Sequence, residues 1–125
     1  MHIALTAEMQ ELSFALNGGR FMVIKLWLEQ ANKFAAQLNT RARELEKVED
    51  KKFVEFDMLS MAVFDIATVI RYFNDYCALS EDTHFELKAR LERAFKVASR
   101  YSSPEAEKVR KAARKVGAKF IGINL

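Results

Sequence analysis

Residues 21–48 read FMVIKLWLEQANKFAAQLNTRARELEKV, and within them Ile24, Trp27, Leu28, Ala31, Phe34, Ala35, Leu38, Ala42 and Leu45 recur at steps of three and four. That is the period of an α-helix, so these side chains form one apolar stripe with polar residues on the opposite side. A half-buried strand would alternate at every second residue instead. The stretch therefore predicts a long amphipathic helix ending near Val48, whose stripe must be buried against partners of the same kind.

The rest of the chain supplies them. Over residues 53–79, Phe56, Leu59, Val63, Ile66, Ile70, Phe73 and Cys77 again fall at alternating steps of three and four, which predicts the central helix. The polar run Glu49-Asp50-Lys51-Lys52 is read as the loop before it. Ser80-Glu81-Asp82-Thr83 combines an N-cap with early acidic residues, and His84, Leu87, Leu91, Ala94, Phe95, Ala98 and Tyr101 form the apolar side of the helix that follows. Ser103-Pro104-Glu105 restarts the chain with a cap, a proline whose missing N–H costs nothing in the first turn, and an acid near the positive helix end. That helix runs to about Val116, with Gly117 as its stop.

At the N-terminus, Thr6 caps a short helix over 6–16 carrying Met9, Leu12 and Leu16, closed by Asn17-Gly18-Gly19. At the other end the period changes. Ile121, Ile123 and Leu125 alternate with Gly122 and Asn124, which predicts an extended tail over 118–125. Phe120, Ile121, Ile123 and Leu125 are too apolar to stay in water, so the tail is expected to contact the bundle or a neighbouring subunit, with pairing to His2–Leu5 as one route.

The fold expected is all-α, an antiparallel bundle of four to five amphipathic helices with a short extended C-terminal tail, forming one domain over residues 1–125. One proline and four glycines among 125 residues are too little punctuation for a sandwich or barrel, and 50% hydrophobic with 30% charged residues describes a chain that folds. The single cysteine, Cys77, allows no internal disulfide and points to a reducing, cytoplasmic setting. No run of 18 apolar residues is present to span a membrane, and no secretory leader pattern opens the sequence.

The net charge of +3 conceals a division. Residues 1–83 carry nine Lys and Arg against thirteen Asp and Glu, a balance of −4, whereas residues 84–125 carry eleven against four, a balance of +7. Arg90, Arg93, Lys96, Arg100, Lys108, Arg110, Lys111, Arg114 and Lys115 make the last two helices basic, and the Ser-Ser-Pro turn between them has the shape of a helix-turn-helix. From Arg93 onward these residues are the candidate patch for an anion or nucleic acid, with few Asn or Gln to read bases. The same charge can instead let one part of the fold dock on the other.

Catalytic chemistry finds little to work with. His2, His84 and Cys77 are the whole supply of imidazole and thiol ligands, without a His-x-x-x-His, Cys-x-x-Cys or Glu-x-x-His pair, so neither a metal nor another cofactor is expected. His84 reads as a capping or packing residue. Asp57, Asp65 and Asp75 lie two to three turns apart, about 12 to 15 Å, too far to share an ion and better read as a solvated or salt-bridged face. Asn17-Gly18-Gly19-Arg20 lacks the surroundings of a phosphate-binding loop. Among those aspartates sit Met58, Met61, Phe64, Val69 and Tyr72, so the central helix is apolar on a second side, and Met61, Phe64 and Tyr72 are the candidate partner interface. The function expected is a non-enzymatic protein–protein interaction or assembly module, with self-association as one form of it and nucleic-acid binding through the basic helices as the alternative.

Overall fold

Ser80 accepts a hydrogen bond from the backbone N–H of Thr83, and Ser103 one from that of Ala106, each at 3.2 Å. These two caps, the second followed by Pro104 in the first turn, start two helices where the local chemistry requires them. The computed structural model describes residues 24–76 and 78–125, which form α1 (Ile24–Leu45), α2 (Asp50–Asp75), α3 (Glu81–Ala98) and α4 (Pro104–Val116), followed by a π-helical turn, Gly117–Ile121. No strand occurs among the described residues. The helix expected over 6–16, the extended segment His2–Leu5, the Asn17-Gly18-Gly19-Arg20 turn and the burial of Cys77 lie outside them.

α2 is the central element, packed on α1, α3 and α4. Its Leu59, Val63, Ile66, Val69 and Ile70 are fully buried together with Trp27, Phe34 and Leu38 of α1, Leu91 of α3, and Val109 and Val116 of α4. α1 and α2 run antiparallel. Near their shared turn Arg43 pairs with Asp57 and stands 5.0 Å over the Phe53 ring, while at the far end Trp27 and Phe73 both meet Phe120. α3 returns antiparallel to α2, with Arg90 2.9 Å from Asp65. α4 lays its small apolar side, Ala106, Val109, Ala112, Ala113 and Val116, into the core with almost no exposure. Small side chains let helices approach closely, so this face seats α4 without displacing its neighbours.

Three boundaries differ from the sequence expectation. The loop before the central helix is Glu46–Glu49 rather than Glu49–Lys52, because the amides of Val48 and Glu49 both bond back to the Leu45 carbonyl and Glu49 already accepts from Phe53. α2 ends at Asp75 instead of Leu79, since Tyr76 adopts an extended conformation. Gly117 does not stop the last helix. It keeps right-handed helical angles, and its carbonyl accepts from Gly122 at 2.7 Å and Ile123 at 3.1 Å, which widens the final turn.

The tail is therefore not extended over 118–125. It stays helical through Ile121 and turns away at Gly122, whose φ of +77° is the left-handed value that glycine adopts most easily. The expected contact with the bundle is present. Phe120 sits between Trp27 and Phe73, Ile121 is buried, and Ile123 and Leu125 pack against the core. The two-residue alternation in eight residues is outweighed by the burial of Phe120, which the helical turn aims inward and an extended backbone would not.

Candidate interaction surface

α1 turns Ala31, Ala35 and Ala42 toward α2, and this run of short side chains leaves the seam between the two helices shallow on its solvent side. Asn32, Ala35, Ala36 and Asn39 of α1 and Ser60, Met61 and Phe64 of α2 line a groove of about 370 Å³ there. Met61 and Phe64, three residues apart and so neighbours on one helix face, form its apolar wall. They are 58% and 54% exposed, large apolar side chains in solvent on the helix that supplies much of the core.

The polar groups beside this groove are mostly committed to the chain itself. The Ser60 hydroxyl donates to the Asp57 carbonyl at 2.7 Å and the Thr68 hydroxyl to the Phe64 carbonyl at 2.9 Å. The Asp57 carboxylate pairs with Arg43, and Asp65 is held by both Arg90 and Arg93. No charged residue lines the groove. Tyr72, the third candidate from the sequence, is not brought to it. That ring is half-buried two turns further along α2 and packs on Tyr76 with centroids 5.5 Å apart.

The candidate basic patch is divided by the fold. Arg93 turns to Asp65 across the α2/α3 seam, so the acidic and basic parts of the sequence meet within the molecule. Arg110 points inward: its Nη1 donates to the carbonyls of Ala98 and Tyr101, both at 2.6 Å, while Nε and Nη2 grip the Glu107 carboxylate. This hydrogen bond from Arg110, helped by the charges of Arg110, Arg114 and Lys111, holds the Glu107 carboxyl below its usual range against the opposing effect of desolvation. Arg114 lies 5.2 Å over the Phe95 ring. Lys96, Arg100 and Lys111 face solvent, and Lys108 and Lys115 are half-exposed.

A second groove, of about 510 Å³, lies at the end of the bundle between the start of α3 and the C-terminal turn. Leu79, Ser80, Glu81, His84, Phe85, Lys88, Ile121 and Ile123 line it. His84 is a half-buried wall residue there, and its backbone N–H closes the first turn of α3 on Ser80. The sequence offered no sign of either groove, because each forms between residues far apart in the chain. The exposure of Met61 and Phe64 had only one signal, their place on the second apolar side of the central helix.

Among the described residues no three His, Cys, Asp or Glu side chains converge on a possible metal position, and no helix is long and apolar enough to cross a membrane. Comparison with protein-family models, with curated proteins and with solved structures finds no match to this chain.

Proposed function

We propose that this chain is a helical protein–protein interaction module that docks through the α1/α2 groove. The observation that carries the reading is the pair of exposed apolar side chains, Met61 and Phe64, lining a groove without a charged residue. The groove offers amides, methyl groups and an aromatic ring but no titratable group, which suits packing against a partner rather than proton transfer. The lone cysteine fits a protein working in a reducing, cytoplasmic setting.

A photoreactive phenylalanine analogue at position 64 tests this in cells. It is expected to give a discrete protein adduct of higher mass, whereas the same analogue at the exposed Glu86 of α3 gives none. Failure to form an adduct at position 64 would remove the reading. Nucleic-acid binding through α3 and α4 is the competing reading, and the inward engagement of Arg110, with Arg93 paired to Asp65, argues against it. Strongly salt-dependent binding of duplex or single strands, lost when Lys96, Arg100 and Lys111 become Glu, would reverse that preference.

A further inference from the structure

We infer that the groove between the start of α3 and the C-terminal turn is a docking site for this chain's own N-terminal segment, residues 6–16. The inference goes beyond the α1/α2 groove and does not depend on it. Its first ground is where the segment joins the bundle. Trp27, in the first turn of α1, and Phe73, in the last turn of α2, both meet Phe120, so the start of α1, the end of α2 and the C-terminal turn share one end of the molecule. α3 begins at that end too, and the groove between it and Ile121 and Ile123 opens there. Residues 17–23 connect the segment to Ile24 and span at most about 25 Å when extended. Ile24 lies one helical turn, about 5 Å, from Trp27. The Trp27 ring centroid is 5.3 Å from that of Phe120, the neighbour of Ile121, so the groove is within reach.

The chemistry of the lining fits the same occupant. Leu79, Phe85, Ile121 and Ile123 supply its apolar surface, and Phe85 is 71% exposed. Beside them stand His84 and Lys88, four residues apart and so on one face of α3. Each is half-buried, and neither side chain is paired among the described residues. Such a groove suits an apolar stripe edged with acids. In 6–16 the stripe is Met9, Leu12 and Leu16, and Glu8 and Glu11 lie along one side of it. Glu81, the one acid of the lining, sits in the first turn of α3, where the helix dipole favours it.

Docking within the chain is also the least demanding way to cover both surfaces. A helix as short as 6–16 is marginal alone in water, so its stripe needs a surface to form against. The short connection to α1 makes the contact intramolecular, with an effective concentration on the order of millimolar, so a weak contact is sufficient. The α1/α2 groove holds no cation to meet Glu8 and Glu11. Docked beside α3, the segment covers Phe85 and closes this end of the bundle over the C-terminal turn.

A photoreactive phenylalanine analogue at position 85 of the purified full chain tests this. Irradiation should join position 85 to residues 6–16 at the mass of one chain, and trypsin should then release Met1–Arg20 bonded to Tyr72–Lys88. Amide exchange over 6–16 should be at least about tenfold slower in the wild type than in Phe85→Asp, a substitution at an exposed position that leaves the bundle folded. Leu12→Asp should release the segment to the same extent. A join at the mass of two chains gives the groove to a neighbouring copy and overturns the inference. Joins found only outside residues 1–23, or none, overturn it too. So does exchange over 6–16 that is as fast in the wild type as in the two variants, whatever becomes of the photoadduct at position 64.

Discussion

Phe120 stacks on Phe73 with ring centroids 5.1 Å apart and planes inclined by 24°, joining the C-terminal turn to the last turns of α2. Trp27 of α1 meets the same phenylalanine edge-on at 5.3 Å, so one side chain near the C-terminus ties together both helices of the α1/α2 hairpin. Phe120→Ala is expected to destabilise the protein by about 2 to 3 kcal/mol, below the full cost of a core phenylalanine because Phe120 is only half-buried. Urea unfolding of the full chain measures this. A cost below about 0.5 kcal/mol, the level of an ordinary surface position, would show that the turn adds nothing to the bundle.

Arg110 should behave as a structural residue and not as part of a binding patch. Arg110→Met keeps much of the side-chain volume but leaves the carbonyls of Ala98 and Tyr101 without their donor, at an expected cost of about 2 to 3 kcal/mol. Arg110→Lys should recover little, because an ammonium cannot present the fork that serves two carbonyls and a carboxylate together. Denaturant midpoints of the two variants check this, and a full recovery by lysine would mean that charge alone matters at the α3/α4 turn.

Glu107 supplies a pH dependence with a definite sign. Its folded-state pKa is lowered from 4.5, chiefly by the Arg110 hydrogen bond, so its contribution is fully present above that value and is lost as pH falls through the lower, folded-state value. The stability gap between the wild type and Glu107→Gln should therefore be constant near neutrality and close below pH 4.5. Thermal melts from neutral pH downward measure the gap, and added salt should narrow it because the Glu107 carboxylate is open to solvent. A gap that widens on acidification would contradict the Arg110 pairing.

Ile66 and Ile70 are fully buried on the central helix, and truncating either to Ala should cost about 2 to 5 kcal/mol. Glu46, whose contact with Arg43 is a surface pair at 3.6 Å, and Lys51, which faces solvent, should each change stability by less than about 0.5 kcal/mol. Chemical denaturation of the four variants tests the helical phase of α2. Equal effects in the two groups would place Ile66 and Ile70 outside the core.

What the sequence determined by itself is the part that depends on near neighbours in the chain. The three-and-four spacing from Ile24 to Leu45, the Ser80 cap and the Ser103-Pro104 start are each set within a few residues, and all three hold in the structure. The alternation of Ile121, Ile123 and Leu125 is local too, but the conformation there is decided by Trp27 and Phe73, residues distant in sequence that receive Phe120. Arg93 and Arg110 read as unpaired cations because charge is visible in a sequence while its partner is not; only the fold brings Asp65 to Arg93 and the end of α3 to Arg110. The same holds for the groove. Periodicity showed that α2 has a second apolar side, yet only the packing of the neighbouring helices on it decided that Val69 is buried while Met61 and Phe64 stand in solvent. Burial is a property of helices packed together, and a helical period specifies a side chain's direction around its own axis without specifying which neighbour, if any, stands opposite.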